Sequence, residues 1–312
     1  MSTEGGTKAV VAALAANLGI AVSKFVGWGI TGSSSMLAES VHSVVDSGNQ
    51  VLLLVGGKRA ARAADEEHPF GYGQDRFFYA FVVSMVLFSL GGAFAIYEGI
   101  EKVRHPHHID APAVAIVILA VAIVLESFSF RTAIHVSRPL RGDATWWQFI
   151  RRTKNPELPV VLLEDSAALI GLVLALAGVV LSVLTGNGVW DGIGTLAIGI
   201  LLVSVAAVLA TEMKSLLIGE SAAPGVVGEI RRGLIGDGEA FSRVIHLRTL
   251  HLGPDELLVA AKVAVDPTLP LPRVAQAIDD AERRVRSAVP IARLIYIEPD
   301  VDRTPAGEPA RS

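Results

Sequence analysis

Six stretches of about 20 apolar residues alternate with short polar connections along the first two thirds of the chain, near 8–30, 36–57, 77–101, 111–136, 158–184 and 190–213. A helix rises about 1.5 Å per residue, so each stretch can cross the roughly 30 Å hydrocarbon core of a bilayer. The pattern predicts six membrane-spanning helices, the first two joined as a hairpin by a tight turn at Gly32-Ser33-Ser34-Ser35. Beyond Met213 the apolar runs shorten and charges return. Helical periodicity near Pro224–Leu234 and Leu271–Ala288, with strand-like runs near Arg243–Leu250, Glu256–Val265 and Ala292–Ile297, predicts a small α+β domain in the order α-β-β-α-β. Its helices are expected to cover one face of the sheet. The predicted division is a membrane domain over 1–213, an α+β domain over 214–300 and a polar tail over 301–312, expected to be disordered.

Composition agrees with a membrane location, since 51% of the 312 residues are hydrophobic. The net charge of -4 supports neither nucleic acid nor a strongly acidic partner. The absence of cysteine excludes disulfides, thiolate metal sites and cysteine nucleophiles, so any metal must be held by nitrogen and oxygen. The connections after the second and fourth spans carry Lys58, Arg59, Arg62, Arg138, Arg141, Arg151, Arg152 and Lys154, whereas those after the first and fifth carry no Lys or Arg. The positive-inside rule then places both termini and the α+β domain in the cytoplasm. The first apolar run shows no cleavage pattern and reads as a retained span. Together with the compact α+β domain, this leads to an expected location in a bacterial inner (plasma) membrane. No His-Glu-x-x-His helix, Gly-x-Ser-x-Gly elbow or phosphate-binding glycine loop is present, and the chain is not read as an enzyme.

The second span carries Glu39, His42 and Asp46. His42 and Asp46 are four apart, so an imidazole and a carboxylate project from one helix face. Ionisable groups at membrane depth are costly unless they face protein, water or an ion, so the pair reads as functional. The fifth span contains adjacent Glu164 and Asp165, which point about 100° apart; one helix cannot aim both at one point unaided. Glu126 in the fourth span is read as structural, and Asp191 sits near a span end, where solvation or a helix N-terminus would satisfy it. His42, Asp46 and a carboxylate of the fifth span would suit divalent zinc, manganese, iron or cobalt.

The segment MLAESVHSVVDSGNQ, followed by HPFGYGQDRFF, resembles the cation diffusion facilitator family of divalent-metal transporters. The run VVLLEDSAALIGL resembles its branch containing the zinc transporter nine type. The resemblance covers nearly the whole chain. It implies six spans with a ferredoxin-like or metallochaperone-like domain, and a homodimer that moves zinc, or a similar cation, out of the cytoplasm in exchange for protons. No cofactor is implied; Zn2+, or Mn2+, Fe2+ or Co2+, is cargo. The family's transport site takes two residues four apart from the second span and two from the fifth. The matching positions are His42 and Asp46, then Val161 and Asp165, and Val161 cannot bind metal. The site then has three protein ligands plus water, or is completed by Glu164 or by Glu126; Asp165 with Glu164 is the expected set. A secondary loop site falls on Asp65 and His68, with Tyr72 at the third position. In the α+β domain the family's zinc positions fall on Ile245, Lys262, Tyr296 and Glu298, while His246 and His251, five apart, point to opposite faces of a regular strand. The domain is therefore expected to dimerise without a metal cluster. The rival reading is a membrane scaffold that senses metal without moving it.

Overall fold

The computed structural model describes residues 18–237 and 240–301. The start of the first expected span and the tail from 302 onward lie outside them. The described residues form two compact units, one taking residues up to 58 and 78–214, the other 59–77 and residues from 215 onward.

In the first unit, α1 (Leu18–Thr31) ends at Gly32, whose φ of +60° is the left-handed backbone that glycine adopts without Cβ strain. Ser33 then caps α2 (Ser34–Ala60), its hydroxyl accepting from the Met36 amide at 3.3 Å. The buried residues of α2 include Ser35, Glu39, His42, Ser43 and Asn49, while Val44, Val51 and Leu54 are exposed. Helix α2 is thus inverted, with polar residues inward and apolar residues outward.

Among the described residues, four helices are long and apolar enough to cross a membrane, α3 (Asp75–Arg104), α4 (Pro112–Arg141), α6 (Glu157–Thr185) and α7 (Val189–Ile218), and α2, the second expected span, is not one of them. The described part of α1 is a shorter apolar helix. Helix α3 contains a π-helical segment, Leu87–Ala93, which hydropathy alone does not reveal. Near that segment α3 and α7 approach closely, since a Cβ at Gly92 would lie 2.7 Å from Val203 Cγ2 and 3.1 Å from its backbone nitrogen. A short helix absent from the sequence reading, α5 (Trp146–Arg152), is started by a reciprocal capping box between Thr145 and Gln148. Helix α4 packs along α6, which brings the fourth and fifth expected spans side by side.

The second unit contains α8 (Pro224–Ile235), β1 (Phe241–Gly253), β2 (Glu256–Val265), α9 (Leu271–Ala288) and β3 (Leu294–Val301). The sheet order is β1-β2-β3; β1 and β2 form an antiparallel hairpin, and β2 pairs with β3 in parallel through the α9 crossover. Ile230, Leu234, Phe241, Leu257, Val259, Val263, Val285 and Ile295 form its core. The strands outrun the alternation in the sequence: β1 extends past both expected ends, and β3 starts at Leu294 rather than Ala292 and runs on to Val301. Loop 59–77 goes with this unit through an ion pair between Arg76 Nη1 and Asp255 Oδ2 at 3.1 Å.

Candidate functional site

Helix α2 presents buried His42 and half-buried Asp46 side by side, with Nδ1 of His42 3.5 Å from Oδ1 of Asp46. His42 is 1% exposed. Among the described residues, neither imidazole nitrogen nor Asp46 Oδ1 has a hydrogen-bond partner. Each buried polar group left unsatisfied costs about 1–3 kcal/mol, so this is an arrangement that a ligand would relieve.

Beside the pair lies a cavity of about 50 Å³ whose wall includes Asp46 from α2, Glu126 from α4, and Val161, Glu164 and Asp165 from α6. The 100° between Glu164 and Asp165 is resolved by two different neighbours. Glu164 turns toward α2, where it accepts from Asn49 Nδ2, and Asp165 turns toward α4, where Oδ2 accepts from Ser129 Oγ at 3.1 Å. The cavity is small enough for both carboxylates to reach it. Val161 stands on its wall, and His42 lies beside it on α2. Among the described residues, no three His, Asp or Glu side chains are drawn together closely enough to hold an ion as they stand. Glu126, read from the sequence as structural, is on the cavity wall. Asn49 and Ser129 are supporting residues that the sequence reading did not single out. Ser129 lies three residues after Glu126, a same-face spacing that could have pointed to both.

Asp191 is a different kind of buried carboxylate. It is fully buried near the start of α7 and accepts from Ser33 Oγ and the Ser34 amide at 2.8 Å and from the Ser35 amide at 3.3 Å, with Lys102 Nζ 3.9 Å away. The helix N-terminus that satisfies it is that of α2, supplied from across the unit.

The loop residues Asp65, His68 and Tyr72 come together at the surface. Asp65 Oδ1 accepts from the His68 amide at 2.7 Å and Oδ2 from the Tyr72 hydroxyl at 2.7 Å, while Arg62 lies over the Tyr72 ring. The Tyr72 hydroxyl, then the His68 amide, hold the Asp65 carboxyl below its ordinary range, and the same bond raises Tyr72. These bonds order the turn. In the sheet, Lys262 Nζ sits 2.8 Å from Glu298 Oε1 and 3.2 Å from Asp300 Oδ2, and those bonds, Glu298 first, raise the lysine above its ordinary range. His246 is exposed and His251 buried, so they share no face.

A family model described as the cation efflux transmembrane domain matches residues 10–218. The mitochondrial proton-coupled zinc antiporter SLC30A9 of Xenopus laevis is 33% identical over 269 residues, covering 85% of this chain and 48% of the relative. The human antiporter of that name is 30% identical over 266 residues, covering 84% of this chain and 46% of its own length. The cation-efflux pump FieF of Pectobacterium atrosepticum is 28% identical over 311 residues, covering 98% of this chain and 96% of the pump. The chain thus spans about half the length of the antiporters it matches. These names correct one expectation, the bacterial inner membrane with cytoplasmic termini, because the antiporters are mitochondrial by name. Hydropathy and Lys/Arg bias report that a segment crosses a bilayer and in which sense, but not which bilayer.

Proposed function

The chain belongs to the cation diffusion facilitator family of cation efflux proteins, and on that premise we propose that it exchanges a divalent cation, zinc first, for protons through the cavity between α2, α4 and α6. The observation that carries the reading is the set of buried, unpartnered atoms, both His42 nitrogens and Asp46 Oδ1, beside a wall of carboxylates. His42, Asp46 and Asp165 bind the ion, and Glu164 completes the set in place of Val161. Metal needs neutral imidazole and ionised carboxylates, so metal and protons compete for the same atoms, which is enough to couple their fluxes. Asn49 and Ser129 aim Glu164 and Asp165, the role of an outer shell around ligands.

Six spans, a ferredoxin-like second unit that dimerises the protein, and an exposed secondary site at Asp65 and His68 complete the proposal. For location, the antiporters' names point to a mitochondrial membrane. A second reading, manganese or iron as cargo, is favoured by the cavity wall itself, where four carboxylates outnumber the single imidazole beside it.

The test is reconstitution of the purified chain into liposomes holding a pH dye, with zinc, manganese, iron and cobalt offered in turn. Metal entry matched by proton exit, absent in Asp165→Ala, is the expected result. Binding of every ion without flux would overturn transport in favour of a sensing scaffold.

A further inference from the structure

Two turns along α2 from Asp46 lies a buried ion pair for which the exchange just proposed has no use. Lys24 of α1 is 3% exposed and Glu39 of α2 fully buried, with Nζ 3.1 Å from Glu39 Oε2 and 2.8 Å from Ser43 Oγ. Glu39 Oε1 has no hydrogen-bond partner among the described residues. It faces α6 at Gly171, where a Cβ would come within 2.6 Å of that oxygen. Taking two charges out of water costs several kcal/mol each, recovered only when the remaining lone pairs are also satisfied. Here one carboxylate oxygen is left over, so the pair is incomplete as a purely structural bridge.

Its position relates it to the cavity. Glu39 and Asp46 are seven residues apart, as are Gly171 and Glu164, so on both helices the ion pair lies on the face that carries the acids, about 10 Å along the axis. Ser43 stands between them on α2; it holds the ammonium and lines the cavity that Asp46 lines. The ammonium already donates to Ser43, which shares the cavity wall with Asp46, and it is carried on a flexible four-carbon stem. Four carboxylates around a cavity of about 50 Å³ repel one another in low dielectric, and a divalent ion is one way to relieve them.

Resting on the proposed divalent-cation site, we infer that Lys24 is a tethered counter-cation. Its ammonium moves from Glu39 to Asp46 when the cavity holds no divalent ion and returns to Glu39 when one enters. Lys24 is a positioning residue, since it touches neither the ion nor its ligands while the ion is bound. Glu39 is the dock that keeps it away from the loaded site.

The experiment is calorimetric titration of Zn2+ into the purified full chain in lipid nanodiscs, with Asp46→Ala defining the heat that belongs to the cavity. A tethered competitor gives the two single variants opposite signs. Lys24→Gln removes the competitor and should tighten zinc binding at least about tenfold, whereas Glu39→Gln removes the dock and should weaken it by about the same factor. Lys24→Arg, which keeps the charge, should stay within about threefold of the parent, and the double variant Lys24→Gln/Glu39→Gln should bind as tightly as Lys24→Gln. Shifts of the same sign in both singles, or no shift beside a lowered melting temperature, would make the pair a structural bridge and overturn the inference while leaving the site intact. Should Lys24→Gln not fold, Glu39→Gln decides alone, with unchanged or tighter binding counting against it. Loss of any Asp46-dependent zinc heat in the parent protein would instead remove the cavity reading, and this inference with it.

Discussion

Helix α2 meets carboxylates at two levels, and they are built in opposite ways. At its N-terminus Asp191 accepts from two serine hydroxyls and two backbone amides, with the Lys102 ammonium nearby. About 18 Å further along the same helix, Asp46 keeps one oxygen without a partner beside a histidine that has none on either ring nitrogen. A carboxylate whose lone pairs are filled by its own fold is part of the scaffold. One that buries an oxygen with its lone pairs left open stores unfavourable free energy that a ligand can relieve. The difference separates site from scaffold where residue type and membrane depth do not.

Mutation should show the contrast most strongly in transport. Asp46→Ala is expected to cut metal flux in proteoliposomes by about a hundredfold or more while leaving the melting temperature level or higher, because it deletes an unsatisfied group. Asp191→Ala should do the reverse. It uncaps α2 and strands Lys102, costing about 2–4 kcal/mol in denaturant or thermal unfolding, with flux per folded molecule largely kept. An Asp46 variant that unfolds while still transporting, or an Asp191 variant that is stable but silent, would break the comparison. Val161→His, which supplies an imidazole on the cavity wall, should raise the preference for zinc over manganese by about tenfold in competition uptake; unchanged selectivity would place the fourth ligand elsewhere.

Smaller effects are expected at the surface, where charges are also paired but solvent screens them. Lys262→Met removes the ammonium from Glu298 and Asp300 and should move the melting temperature by less than about 2 °C. The lysine's pKa is raised in the folded state, so its small contribution is complete below the ordinary lysine range and is lost as pH rises through the raised value. Smallest of all, Tyr72→Phe should let the Asp65 carboxyl rise toward its ordinary range in an NMR titration without changing flux. The Asp65 contribution has the opposite sign, being present above the ordinary carboxylate range and lost as pH falls through the lowered value.

The hairpin turn at Gly32, the long helices and the elements beyond Met213 were legible because each rests on local pattern: apolar length, alternation or a glycine at positive φ. His42 and Asp46 were legible for the same reason, a same-face spacing within one helix. Glu126 was not, because its place on the cavity depends on α4 lying along α6, a packing that no periodicity within α4 encodes. Asn49 and Ser129 matter only through the partners they aim. Likewise Lys24 and Glu39, fifteen residues apart, are paired by the hairpin rather than by spacing on a shared helix. The α5 capping box was overlooked because seven residues are too few for a periodic pattern to stand out. The identity of the membrane is absent from local pattern altogether.

The π-helical segment Leu87–Ala93 carries a lesson for how this chain should be aligned with others. A π turn takes in one residue more than an α turn, so the halves of α3 are out of phase by about 100° relative to an unbroken α-helix. Tyr79 before the segment meets Gly56 of α2, and Gly99 after it meets Leu196 of α7. A relative whose third span is a straight helix can preserve both contacts only if the alignment places a one-residue gap inside that span. Without the gap, every position from Phe94 to Arg104 would be matched to a neighbour on the wrong side of the helix.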